Sequence, residues 1–480
     1  MELRNNANRV DPALSTNEDL IALTRALHAS GISLCLDFVM NHTADTHEWA
    51  MRAKAGDAQA QAYYFCYPDR AIPDRYEQTV PQVFPTTAPG NFTWNEDMRR
   101  WVLTSFYPFQ WDLNYRNPEV LTAMTRSMLH LANMGVEVLR IDAVPYIWKE
   151  LGTSCRNLPQ VHTIVRIIRM VIECVCPAVI LKGEVVMARR SWRPTSARRK
   201  NPSVTCSTTS PRWTTCGVRW RRGTRGCCAV RSTRCWRWER IAGSSTICAV
   251  MTTSAGGFDE DAERSLYIDP QLHKEYLYRF YDGEFPGSWA MDETYNYDPA
   301  TRDARSCGTT ASLCGLERAL SEQDDAQYDL ALRRIWLMHG AAMFLQGFMM
   351  LSSGDEIGQL NGWGYHDDPD KAADSRNLHR TRFDWSRAVL RGKQGTPEHA
   401  IWEDFRRLRA MRAHPCFAAD VAVSTLESGN CAVLAVRREK GSEQMTAMMN
   451  FSEQAQSIMM PDGTSLELKA YDTIFLLKAR

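Results

Sequence analysis

A chain of 480 residues, 44% apolar and 24% charged, has the composition of a globular protein large enough for two or more domains. It contains no run of about 18 apolar residues, which excludes a membrane-spanning helix on hydropathy grounds. The net charge of +1 hides a division, because residues 189–240 hold 14 Arg, one Lys and one Glu, a surplus of +14 that leaves −13 for the remainder.

In chain order, "STNEDLIALTRALHASG" (Ser15–Gly31) has a capping Ser/Thr, early acids, apolar residues at helical spacing and a closing Gly, and predicts a helix. "ISLCLDFVM" (Ile32–Met40) predicts a buried strand, with Asn41 and His42 at its C-terminal end. Residues 43–111 are irregular and rich in Pro, Asp and aromatics, too long for a loop, and predict an inserted subdomain. Next come a helix over Asn117–Gly135, a strand over Val136–Val144, a helix over Leu158–Cys174 and a strand over Ala178–Val186. The alternation stops near Ala188. After Phe258 it resumes with a helix over Ala326–Gly340, a strand-like run over Ala342–Leu351 and a helix over Glu398–Pro415. The remaining residues alternate at the β period. Helix–strand alternation with polar residues where strands end predicts an α/β fold, either a parallel barrel or a doubly wound sheet, followed by an all-β domain.

Three strand ends carry groups able to do chemistry: Asp37, Asn41 and His42 in "DFVMNH", Arg140 and Asp142 in "RIDAV", and Lys182 and Glu184 in "LKGE". Residues two apart on a strand face one side, so Arg140 and Asp142 point together, and the guanidinium is expected to keep Asp142 ionised. Glu184, one strand on, is expected about 5 Å from Asp142, the spacing of a retaining glycoside mechanism. Singly, each has an ordinary reading: a structural ion pair, a rim glutamate, a hydrogen-bonded histidine. Their order on successive strands is what makes them specific.

That order, "DFVMNH … LRIDAV … LKGEVV", resembles the α-amylase superfamily, glycoside hydrolase family 13. "YYFCYPDR", "FQWDLNYRNPEVL", "MGVEVLRIDAVPYIWKELGTSCRNLPQVH" and "DSRNLHR" are similar to its amylosucrase branch, to which sucrose hydrolase is close. The resemblance covers most of residues 10–187 and 257–480. It implies a (β/α)8 TIM barrel with a subdomain after strand 3 and a C-terminal β-sandwich. The corresponding division is 1–42 partial barrel, 43–111 subdomain, 112–187 barrel strands 4 and 5, 188–256 an anomalous segment, 257–415 the barrel remainder and 416–480 the β domain. The implied activity is sucrose cleavage through a β-glucosyl enzyme, with release of fructose and transfer of glucose to an α-1,4-glucan acceptor. Hydrolysis is the alternative outcome. No cofactor or metal is implied, and no nucleic-acid or membrane partner. By the resemblance, Asp142 is the nucleophile and Glu184 the general acid/base. Arg140 orients the nucleophile, and His42, Phe109 and Arg376 contact the sugar.

The chain departs from that pattern in three places. The resemblance starts just before the helix preceding strand 3, so barrel strands 1 and 2 are expected to be missing, leaving open edges and a poorly stable barrel. A His-Asp-Asp motif is expected before "GFDEDAE", where the chain reads "CAVMTTSAG" (Cys248–Gly256). The codons GTC ATG ACG ACA TCG GCT GG encode that run from Val250, and the same letters one base out of register read CAT GAC GAC ATC GGC TGG, His-Asp-Asp-Ile-Gly-Trp. With the Arg, Cys, Trp and Ser excess of "VRWRRGTRGCCAVRSTRCWRWER" (Val218–Arg240), this predicts a frameshifted reading over about 188–256 and an impaired or inactive product. A basic Arg/Trp block also suits phosphate and base contacts, but such an arm would interrupt a barrel. The six cysteines from Cys206 to Cys248 contain no Cys-x-x-Cys pair for zinc. The other nine are dispersed, which predicts reduced thiols and, with no secretory leader in the opening residues, a cytoplasmic setting. The third departure is "YHDDPD" (Tyr365–Asp370), whose His366-Asp367-Asp368 imitates the motif and reads as loop.

Overall fold

The computed structural model describes residues 8–85, 88–184, 206–208, 243–247, 260–345, 348–418, 420–460 and 463–479. Apart from two short strands, the segment expected to be frameshifted lies outside the described residues. The chain divides into two units, Met1–Thr208 and Thr209–Arg480.

The first unit starts with helix α1 (Asn17–Ala29), where the Thr16 hydroxyl accepts from the Asp19 N–H and the Asp19 carboxylate accepts from the Thr16 N–H, satisfying two otherwise orphaned donors. Four parallel strands follow in the order β1 (Cys35–Val39), β7 (Val138–Asp142), β8 (Ile180–Glu184), β9 (Cys206–Thr208). Helix α3 (Pro118–Asn133) joins β1's half to β7, and α4 (Pro159–Val175) joins β7 to β8. Val161, Ile164, Val165, Ile168 and Ile172 recur at helical spacing on α4, and all are buried. They meet Phe38, Met40, Leu139, Ile141 and Leu181 from one sheet face in a single apolar core, each large side chain contributing about 1.5–3 kcal/mol by leaving water. Period-2 alternation then places Asp37, Arg140, Asp142, Lys182 and Glu184 on the other face.

The expectation of a buried strand over Ile32–Met40 holds only for its second half. Phe38 and Met40 are buried, but Ile32 is 52% exposed and Cys35 is exposed. Among the described residues β1 pairs along one side only, with β7, so its early apolar side chains lack cover.

Beyond β1, β2 (His42–Ala44) pairs antiparallel with β6 (Gln110–Asp112), setting His42 opposite Asp112. Between them lie α2 (Glu48–Lys54) and the small antiparallel sheet β3 (Cys66–Tyr67), β5 (Arg100–Leu103), β4 (Phe92–Asn95). Phe65, Tyr76, Phe92 and Leu103 give this insertion its own core.

The second unit contains the parallel pair β10 (Gly243–Ile247) and β13 (Phe348–Met350), the hairpin β11 (Glu293–Asp298) and β12 (Asp303–Cys307), and helices α5 (Pro270–Tyr281), α6 (Asp325–Phe344) and α7 (Pro397–Arg412). The strand-like run over Ala342–Leu351 is corrected. Helix α6 continues through Phe344, and only Phe348–Met350 is strand. Residues 337–344 are buried all round, and a helix buried on every side carries the continuous apolar signal of a strand. The chain ends in an antiparallel sheet, β14 (Val423–Leu426), β15 (Val433–Lys440), β16 (Glu443–Asn450), β19 (Thr473–Ala479), and a two-stranded ribbon, β17 (Gln456–Met459) with β18 (Ser465–Leu468). No described helix is long and apolar enough to cross a membrane, and the nine described cysteines are free thiols.

Candidate active site

The C-terminal ends of β1, β7 and β8 converge on one guanidinium. Arg140 Nη1 lies 2.7 Å from Asp37 Oδ1 and 3.4 Å from Asp142 Oδ1, while its Nη2 lies 2.9 Å from Glu184 Oε1. Strand register causes this, since Asp37 is level with Arg140 on β1, and Asp142 and Glu184 end their strands side by side. Next to Asp142, Ala143 takes a left-handed φ of 50° and directs its N–H at Glu184 Oε2, 3.4 Å away. A non-glycine residue held there costs about 1 kcal/mol or more. Here the strained turn aims a backbone donor at a carboxylate.

Arg140 draws the Asp142 and Glu184 carboxyls to one cation from adjacent strand ends. One expectation is corrected. Asp142 is not held ionised by Arg140. Burial first and the Glu184 charge second push it up to about 8, outweighing the guanidinium. Three carboxylates share one cation, so the pair retains a proton near neutrality. Arg140 itself is driven further toward its charged form by Glu184 and Asp37, against the cost of burial.

His42 is 8% exposed, its ring 5.4 Å from Phe106, which packs in turn on Tyr146. Behind it runs a buried polar chain that residue patterns alone did not reveal. His42 Nδ1 meets Asn41 Nδ2 at 3.3 Å, Asn41 Oδ1 accepts from Lys149 Nζ at 2.8 Å, and Lys149 pairs with Asp112 at 2.7 Å. Asp112 also accepts from the Ser105 hydroxyl at 2.5 Å and from the Ser105 N–H at 3.1 Å. The signal available in sequence was two charges beside aromatic residues, Asp112 in "FQWDLNY" and Lys149 in "YIWKE".

The structure thus brings His42, Arg140, Asp142 and Glu184 into the first unit. Phe109 lies in that unit too, but turned outward: it is 41% exposed and stacks on Tyr107 at 5.5 Å, while Phe106 takes the place against His42. Arg376 belongs to the second unit, where its guanidinium is clamped on Asp374 and lies over the Tyr295 ring. His366, of the imitation motif, sits in a one-turn helix (Trp363–Asp367) and bonds Glu293 at 2.6 Å.

Among the described residues, one further cluster has metal-ligand chemistry: His414, Cys416 and Glu443 bring their ligand atoms within 4.8 Å of one another. His414 Nδ1 accepts the Cys416 N–H as a helix cap, so the neutral ring carries its proton on Nε2, the atom that would have to face an ion. A metal-bound histidine has the opposite arrangement, with its remote nitrogen donating.

Residues 4–204 match the family model of the alpha-amylase catalytic domain. Among curated proteins the chain is similar to trehalose synthase from Pimelobacter sp. (strain R48), 33% identical over 162 residues, covering 34% of this chain and 28% of that protein. It is also similar to glucosylglycerate phosphorylase from Allomeiothermus silvanus, 35% identical over 178 residues, covering 37% and 30%. The chain spans less than a third of the length of these relatives. Among solved structures, sucrose 6F-phosphate phosphorylase from Thermoanaerobacter thermosaccharolyticum matches with a TM-score of 0.69 at 12% identity, covering 97% of this chain and 87% of that one. A trehalulose synthase matches with a TM-score of 0.68 at 14% identity, covering 99% and 89%. The fold class is therefore the (β/α)8 barrel with a C-terminal β domain, and the homologues are glycoside hydrolases and transglycosylases.

Proposed function

We propose that the site performs retaining transfer of an α-glucosyl group, with sucrose as donor and an α-1,4-glucan as acceptor. Asp142 attacks the anomeric carbon while Glu184 protonates the departing glycosidic oxygen. The acceptor hydroxyl, or water, then attacks the glucosyl ester and returns its proton to Glu184. Arg140 aligns Asp142, and His42 contacts the sugar.

The observation that carries this reading is the guanidinium-bridged carboxyl pair on adjacent strand ends. The reaction needs one proton on the pair, located on Glu184, and burial together with the Glu184 charge raises Asp142 toward its protonated form. A sugar seated between the carboxyls separates them, with the proton on Glu184 and Asp142 ionised for attack. The choice of sucrose rests on the likeness of "YYFCYPDR", "FQWDLNYRNPEVL" and "DSRNLHR" to the amylosucrase branch, and sucrose occurs in the name of one solved neighbour. The test is fructose release from sucrose against a Glu184→Gln control. Fructose in excess over glucose marks glucan synthesis; equal amounts mark hydrolysis.

A second proposal concerns the reading frame. The out-of-register His-Asp-Asp over residues 250–255 supports a frameshift across about 188–256. In that case the chain as written lacks a carboxylate that would stabilise the transition state, and its rate is lower by roughly 10²–10³ or lost. Resequencing the coding DNA through codon 260 decides this. Two compensating indels that vanish support the proposal, and an unchanged sequence refutes it.

A further inference from the structure

We propose that Lys149, acting through Asn41, locks His42 into one tautomer, with the ring proton on Nε2. Lys149 is 2% exposed. Its ammonium has three hydrogens and no acceptor capacity, and three acceptors meet it: Asp112 Oδ2 at 2.7 Å, Asn41 Oδ1 at 2.8 Å and the Tyr146 carbonyl. Because the ammonium can only donate, the Asn41 oxygen must face it. The Asn41 amide nitrogen must therefore face His42 Nδ1, at 3.3 Å. That NH2 group also only donates, so Nδ1 must accept and the neutral ring carries its proton on Nε2. An imidazolium would set one N–H against another.

The chain of constraint has a rigid anchor. Asp112 is fully buried and directly opposite His42 across the β2–β6 pair, and Ser105 donates to it twice. A buried ion pair is weak evidence for stability but a good device for fixing a register or an orientation. Here it fixes an amide flip, which fixes a tautomer.

On the proposed reaction, the consequence is that His42 offers the sugar a donor and never an acceptor, so it selects a hydroxyl oxygen presented with its lone pair toward Nε2. Lys149 is then a positioning residue that touches no substrate. The claim rests on that reading for its use, but its test does not. The full chain labelled with ¹⁵N-histidine is observed without substrate, and the His42 ring signals are assigned by their loss in His42→Gln. The expected pattern is a bare Nδ1 and a protonated Nε2. Asn41→Asp replaces the donor by an acceptor of the same shape and moves the proton onto Nδ1. Lys149→Met frees the amide to turn and gives both patterns, whereas Lys149→Arg retains the cation and the single pattern. A protonated Nδ1 in the unsubstituted chain overturns the proposal. So does an unchanged pattern in Asn41→Asp, or in a Lys149→Met that remains folded by circular dichroism. Loss of fructose release with these patterns intact counts against the reaction, not against the lock.

Discussion

At the scale of single residues, Arg140 binds Asp37, Asp142 and Glu184 at once. Truncation to Met leaves three neighbouring carboxyls without their cation, and about 3 kcal/mol of destabilisation is expected, read as a lowered denaturant midpoint. Asp142 carries the opposite sign. Its carboxyl is raised from 3.8 to about 8, so between those pH values the native state holds a proton that the unfolded state has lost. Its contribution therefore falls as pH rises through that window. Asp142→Asn is expected to abolish glucosyl transfer, yet to gain roughly 1–2 kcal/mol at pH 8, seen as a melting temperature several degrees higher; at pH 4 the gain disappears. The same titration predicts that kcat/KM of the active enzyme falls above about pH 8, as the pair loses its one proton. Asp142, Glu184, Arg140 and His42 were legible because strand-end polar residues at period 2 are a local pattern. Asp142's protonation was not, because it depends on Glu184 from another strand and on burial. Lys149 and Asp112 were illegible for the same reason, being 37 residues apart in the chain and joined only by the antiparallel return of the insertion.

At the scale of elements, α1 meets the end of α3 through Thr24. The Thr24 hydroxyl donates to the Met134 carbonyl at 2.9 Å, and Gly135, at φ +93°, closes α3 directly against Thr24. A Cβ there would lie 2.7 Å from Thr24 Oγ1. Gly135→Ala therefore combines a left-handed alanine with a clash, and about 2–3 kcal/mol of destabilisation is expected by chemical denaturation. The closing glycine was visible in sequence as a helix stop; its close approach to α1 was not. Caps, proline starts and amphipathic periods gave α1, α3 and α4 almost to the residue, since those signals are internal to each helix. The failure over Ala342–Leu351 has the converse cause. A helix with no solvent face loses its period, and length was the only remaining guide.

At the scale of the whole molecule, two chemistries coexist. Within the second unit, Arg438 of β15 reaches from the β domain to helix α6, its guanidinium donating to the Phe344, Leu345 and Cys416 carbonyls at 2.9, 2.9 and 3.3 Å. Arg438→Met removes the donor from three buried carbonyls, and roughly 2–4 kcal/mol of lost stability is expected. Within the first unit, the segment that matches the alpha-amylase catalytic-domain model holds the carboxyl pair. The proposed reaction glucosylates Asp142. Peptide mass spectrometry after trapping with a fluorinated α-glucosyl fluoride decides it, on the chain carrying the proposed alternative reading frame over residues 188–256 and on a Glu184→Gln control. A glucosyl adduct on the peptide containing Asp142 is the expected result. An adduct on another carboxylate, or none on a folded chain carrying that frame, would contradict it.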